Sequence, residues 1–131
     1  MEIGDAFLLR DHRIDDLLHI VISAPSLDAH KIVTVSLTSY DRVEHETHKD
    51  GSCILDSSDH PWITHKSSIS YRDGKVADEE LLDSLIAKGS LIPQQPVSDD
   101  VLTRILEGAE RTDELPNKCC VVLVNQRLIQ I

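Results

Sequence analysis

Apolar positions recur at every second residue through much of the first part of this chain and at every third or fourth afterwards, with the change near residue 77. Gly4 to Leu9 reads as a short strand opening at a Gly-Asp turn, and Asp11 to Asp16 as a charged turn. Leu17 to Ser23 is a nearly continuous apolar run rich in β-branched residues, which predicts a buried strand. After a turn at Pro25 to Asp28, Lys31 to Tyr40 alternates. Ile32, Thr34, Ser36, Thr38 and Tyr40 fall on one face, and Val33, Val35, Leu37 and Ser39 on the other. Asp41 to Gly51 is polar and predicts a solvated loop. Ser52 to Leu55 is a short strand or loop segment, and Ser67 to Tyr71 alternates again before an Asp73-Gly74 turn.

Beyond Val76 the period is helical. Leu81, Leu82, Leu85 and Ile86 share a stripe within residues 78–88, with acids in the first turn and Lys88-Gly89 at the end, as the helix dipole and the C-terminal glycine preference favour. Residues 91–97 hold two prolines and predict a connector. Ser98 is a good N-cap for a second helix whose stripe is Val101, Leu102, Ile105, Leu106 and Ala109. Both stripes are expected to be mostly buried. From Pro116 the signals conflict: Pro suits a first helical turn, while Cys119 to Val124 suits a strand. Helix is narrowly preferred. Strands first and helices after imply an α+β fold with a small, curved antiparallel sheet. At 131 residues one domain is expected, β-rich over 1–77 and mainly helical over 78–131, large enough to bury a core without metal or disulfide help.

Composition narrows the function classes. No apolar run approaches about 18 residues and no basic, hydrophobic leader precedes the first strand, so neither a membrane span nor a signal peptide is expected. Three Cys, two of them adjacent at 119 and 120, fit reduced, packed thiols in a cytoplasm better than a disulfide framework. The net charge is −10, and no Lys/Arg cluster exceeds two residues. Sequence-independent nucleic-acid binding of the usual kind needs clustered cations and is disfavoured, which leaves room only for a small, local phosphate site.

All seven His, at 12, 19, 30, 45, 48, 60 and 65, lie in the first half. The segment from Asp59 to Arg72 also holds the only Trp. Imidazole is the group most readily recruited for proton transfer near neutral pH. Cleavage of RNA by its own 2′-hydroxyl needs a base, an acid and donors around the phosphate. His19, His60 and His65 could fill the first two roles and Arg72 the third. Thr38 and Ser39 could donate to phosphate oxygens, and Trp62 or Tyr71 could stack a base. The blander readings are strand-end hydroxyls satisfied by turn backbone, a Trp packed over the open end of a barrel, and a loop that happens to collect His. His45, His48, Cys53, Asp59, His60 and His65 lie within about 20 residues, yet His45 and His48 lack the i, i+4 spacing of a zinc helix and there is no CxxC. No metal and no cofactor is expected.

Three segments carry a family resemblance. Gly4-Asp5 with Ala6 to Leu9, then His19 to Ser23, then Val33 to Ser39, resemble the opening of MazF/PemK-like toxins of toxin–antitoxin pairs over about the first 40 residues. The resemblance implies an SH3-like antiparallel β-barrel with added helices, a homodimer, an antitoxin or other protein partner, and metal-independent cleavage of single-stranded RNA. It places the family's catalytic Thr or Ser on Thr38 or Ser39. Where the family carries its catalytic Arg, this chain has Leu17 or Leu18, and the nearest cations are Arg13 and His19. The expected catalytic set is therefore His19, Thr38, Ser39, His65 and Arg72, with His60, Trp62, Tyr71 and Arg13 contacting substrate. The alternatives are a catalytically altered relative, a non-enzymatic protein-interaction module and, more remotely, a metal-dependent hydrolase.

Overall fold

In a computed structural model of the chain, residues 1–10, 17–25, 31–40 and 50–130 are described. The turn expected at 11–16, most of the 25–28 turn, the 41–49 part of the polar loop, and Arg13, His12, His30, His45 and His48 lie outside them. The described residues form six strands and three helices: β1 (Ala6–Leu9), β2 (Leu18–Val21), β3 (Lys31–Ser39), β4 (Ile54–Leu55), β5 (Ser67–Asp78), α1 (Glu79–Ala87), β6 (Leu91–Gln94), α2 (Asp99–Arg111) and α3 (Asn117–Asn125). The fold is α+β. All strand pairs are antiparallel, in one curled sheet of order β4-β5-β3-β2-β1-β6.

The alternation in β3 separates the two faces of this sheet. Val33, Val35 and Leu37 join Ile20, Ile69 and Tyr71 in the larger core, which Val101, Ile105 and Ala109 of α2 and Cys119, Val122 and Leu123 of α3 complete. On the opposite face Ile32, Val21, Phe7 and Leu91 form a second, smaller core with Leu82 of α1. Between the ends of β2 and β3, Ser23 continues the ladder with its side chain, accepting the Val33 amide at 2.7 Å and donating to the Lys31 carbonyl at 3.2 Å.

Two expectations need correction. β5 does not turn at Asp73-Gly74 but runs on to Asp78, with its register against β3 shifted between Thr34 and Ser36. A bulge calls for the same permissive residues as a turn, so the two share a signature. The proline-bearing connector contains β6, which pairs with β1. Pro93 is tolerated because β6 is an edge strand.

The helices follow their caps. Ser98 Oγ accepts the Val101 amide at 3.2 Å, and Gly89, at φ +74°, closes α1 with Ser90 N–H bonded to the Leu85 carbonyl. The α3 segment is helical. Burial of the stripes is less complete than expected. Val101 and Ile105 are buried, and Leu102 and Leu106 half-buried. On α1 only Leu82 is buried, while Leu81 is 54% and Ile86 39% exposed. A short helix laid on a small core covers a narrow line of its own surface, and Leu82 with Leu85 supplies that line. Among the described residues no helix is long and apolar enough to cross a membrane.

Candidate functional site

Thr38 and Ser39 end β3, and the loop that enters β5 is drawn against them. Tyr40 N–H donates to the Lys66 carbonyl at 3.1 Å, continuing the register that pairs Ser39 with Ser67 and Thr38 with Ser68. This brings His65 Nε2 to 2.9 Å from Ser39 Oγ, while His65 Nδ1 lies 3.0 Å from Thr64 Oγ1. In the tautomer that donates Nδ1–H to Thr64, Nε2 accepts the Ser39 hydroxyl and holds the lone pair a base needs. Thr64 can orient the ring but has no charge with which to stabilise an imidazolium. The pair is therefore better built to accept a proton than to make Ser39 a strong nucleophile. Lys66 Nζ lies 4.4 Å from the centroid of the Tyr40 ring beside it, within cation–π reach.

His19 lies on the same sheet face as Thr38. It pairs with Ser36 across β2 and β3, so Thr38 is its diagonal neighbour, about 7–8 Å away between backbones. Its ring stacks on Phe7 with centroids 5.3 Å apart. Burial, and then the nearby Lys75 ammonium, lower its pKa from 6.5. A neutral imidazole at pH 7 is a poor proton donor. Arg72 is exposed and sits four residues along β5 from Ser68, about 13 Å by strand rise, so it flanks the Ser39–His65 pair instead of joining it.

Three other expected residues, His60, Trp62 and Tyr71, are engaged in holding the fold. His60 is 4% exposed; its Nδ1 accepts the Trp62 amide at 3.0 Å and its Nε2 meets the Gln95 carbonyl at 2.6 Å. Both ring nitrogens are thus spent on backbone. Trp62 is half-buried against the larger core. Tyr71 is fully buried, donates its hydroxyl to the Ile105 carbonyl at 2.7 Å, and is pushed up in pKa by that burial. That position leaves no face on which to stack a base. Arg104 of α2 pins the loop before His60, pairing with Asp59 at 2.8 Å and the Ile54 carbonyl at 2.9 Å. Burial raises the thiol pKa of Cys53 and of Cys119, which makes both packing groups. Among the described residues no group of three or more His, Cys, Asp or Glu side chains is placed to hold a metal.

Thr64, Lys66, Ser68 and Lys75 were not singled out from the sequence. The signal was present for two of them: alternation over 66–70 puts Lys66 and Ser68 on one face. Lys75 joins that face only because the bulge in β5 resets its register opposite Thr34. Comparison with protein-family models, curated proteins and solved structures finds no match to this chain.

Proposed function

We propose that the protein is a MazF/PemK-like endoribonuclease of single-stranded RNA, built on an SH3-like barrel, with its reactive centre at Ser39 and His65. The observation that carries this reading is the 2.9 Å contact between Ser39 Oγ and His65 Nε2 at the strand end where the resemblance puts the family's hydroxyl residue. In this reading His65 takes the proton from a 2′-hydroxyl, and the oxygen so freed attacks the adjacent phosphorus. Once His65 holds that proton, the Ser39 hydroxyl is released to donate to a non-bridging oxygen, and the departing 5′-oxygen is protonated by water, since neutral His19 is a poor acid. The products are a 2′,3′-cyclic phosphate and a 5′-hydroxyl end.

The test is cleavage of an end-labelled single-stranded RNA by the purified protein with chelator present. Cleavage with cyclic-phosphate ends is expected, and His65→Gln or Ser39→Ala should lower the rate about a hundredfold, the usual effect of losing one such group. Intact RNA, or full activity in His65→Gln, would overturn the reading.

A second reading has its own observation. Val121 and Val124 sit one turn apart on α3, 50% and 41% exposed, and large apolar side chains left in water commonly mark a protein contact. An interaction module whose partner is an antitoxin-like protein or a second copy of the chain accounts for them. High-level expression that leaves growth unaffected and RNA intact would favour it.

A further inference from the structure

We infer that the outer face of α3 is a docking site for an acidic amphipathic helix of a partner protein. Such a partner gives chemistry to the interaction reading of α3, on which it rests, and needs nothing from the ribonuclease reading.

The helical period settles which side chains face outward. Cys119, Val122 and Leu123 are buried in the larger core, so Val121 and Val124 point away from it. Lys118, three residues before Val121, leads into the same row, and Arg127 continues it one step past the helix end. All four are exposed. The row therefore reads cation, valine, valine, cation, over about 13 Å of helix rise. Among the described residues neither cation is in an ion pair.

Neither cation sits where the helix alone would put it. A positive charge in the first turn opposes the helix dipole, and α1 and α2 begin instead with Glu79-Glu80 and Asp99-Asp100. Arg127, at φ +61°, is the one non-glycine residue with positive φ among the described residues. It closes α3 with its own N–H on the Val124 carbonyl and the Leu128 N–H on the Leu123 carbonyl, both at 2.9 Å. Glycine makes that bend without strain. What arginine adds there is charge at the far end of the row.

Charge then selects the occupant. Of 13 cations and 23 acids, residues 115–131 hold two cations and no acid, which leaves the rest of the chain at −12. A second copy docked through the same face would set cation on cation in either direction: Lys118 on Arg127 when antiparallel, like on like when parallel. An anionic bilayer is extended, so it would meet the −12 body as well as the row. A single helix with an acid on each side of two apolar residues avoids both penalties. The valines lose water, the cations gain partners, and the acidic body stays clear.

The experiment measures fluorescence anisotropy of two labelled, alanine-rich helical peptides on the intact protein. One carries Glu, Leu, Leu and Glu at three-residue spacing; the other has Lys in place of each Glu. The acidic peptide is expected to bind about tenfold more tightly. Val121→Ser with Val124→Ser should abolish its binding, and Lys118→Glu with Arg127→Glu should reverse the preference. Lys88→Glu, at the exposed end of α1, should leave the preference unchanged, and thermal unfolding checks that each variant folds. Equal affinity for the two peptides, no binding of either at millimolar concentration, or a preference unmoved by the charge reversal overturns the docking site. Sedimentation velocity tests the second copy: self-association that the valine double variant abolishes overturns the acidic partner and leaves the interaction reading standing. Pelleting with phosphatidylserine vesicles that the same variant loses overturns it in favour of a bilayer.

Discussion

His19 illustrates how a single ring can be read from the sequence in kind but not in role. Its residue type promised proton transfer, but burial and Lys75 lower its pKa from 6.5, so the folded chain holds it neutral. The unfolded chain then binds the proton first as pH falls. Stability contributed by neutral His19 is complete above pH 6.5 and is lost as pH drops toward the lowered value. The unfolding midpoint of the wild type should therefore fall between pH 7 and 5 more steeply than that of His19→Asn. Parallel curves would show that the ring carries no such linkage. Gly108 gives a second test. A Cβ there would collide with the Tyr71 hydroxyl and approach the Ser52 carbonyl to 2.8 Å, so α2 sits this close to the sheet only because position 108 has no side chain. Gly108→Ala gains helix propensity of about 1 kcal/mol, yet should lose about 2 kcal/mol or more net, through overpacking and the strained Tyr71–Ile105 bond. Denaturant unfolding decides the sign.

Elements with self-contained signals were the legible ones. Ser98 and the Val101, Ile105 and Ala109 stripe announce α2, and the two faces of β3 follow from its alternation. Elements defined by a partner were not legible. β6 exists because β1 offers it a ladder, and the bulge of β5 is settled by packing, since Gly74 lies under Leu115 and Cys119. The site divides the same way. Thr38, Ser39 and His65 were anticipated as residue types, whereas the contact between Ser39 and His65 depends on how the loop before β5 is pulled onto β3, which no local spacing encodes. Exposure separates the helices energetically. Ile105→Ala, fully buried under the sheet, should cost about 3 kcal/mol, while Leu81→Ala on the open side of α1 should change stability by less than about 0.5 kcal/mol. Equal costs at the two positions would mean that α1 has a cover within the folded chain.

At the scale of the molecule, the sheet separates two kinds of work. One face is filled by α2 and α3 and supplies most of the apolar burial; the other is closed by α1 at one end and carries hydroxyls and cations toward the other. If the Ser39–His65 pair at the end of β3 cuts RNA, expression should arrest growth, and His65→Gln should relieve the arrest while melting at the wild-type temperature. Arrest that persists in this variant would have to come from the exposed helix surfaces instead.

The pairing of β1 with β6 also fixes when the protein can fold. Ala6 lies opposite Gln94, and Gln126 at the end of α3 accepts the Ala24 amide at 2.7 Å. A chain emerging from the ribosome N-terminus first therefore presents β1 with one side unpaired until some ninety further residues have been made. The helices that cover the larger core arrive later still. At about 5–20 residues per second the waiting time is on the order of several seconds, long enough for a nascent-chain chaperone to bind the valine-rich β2–β3 hairpin. Solubility on overexpression would then be set partly by translation speed rather than by the finished fold.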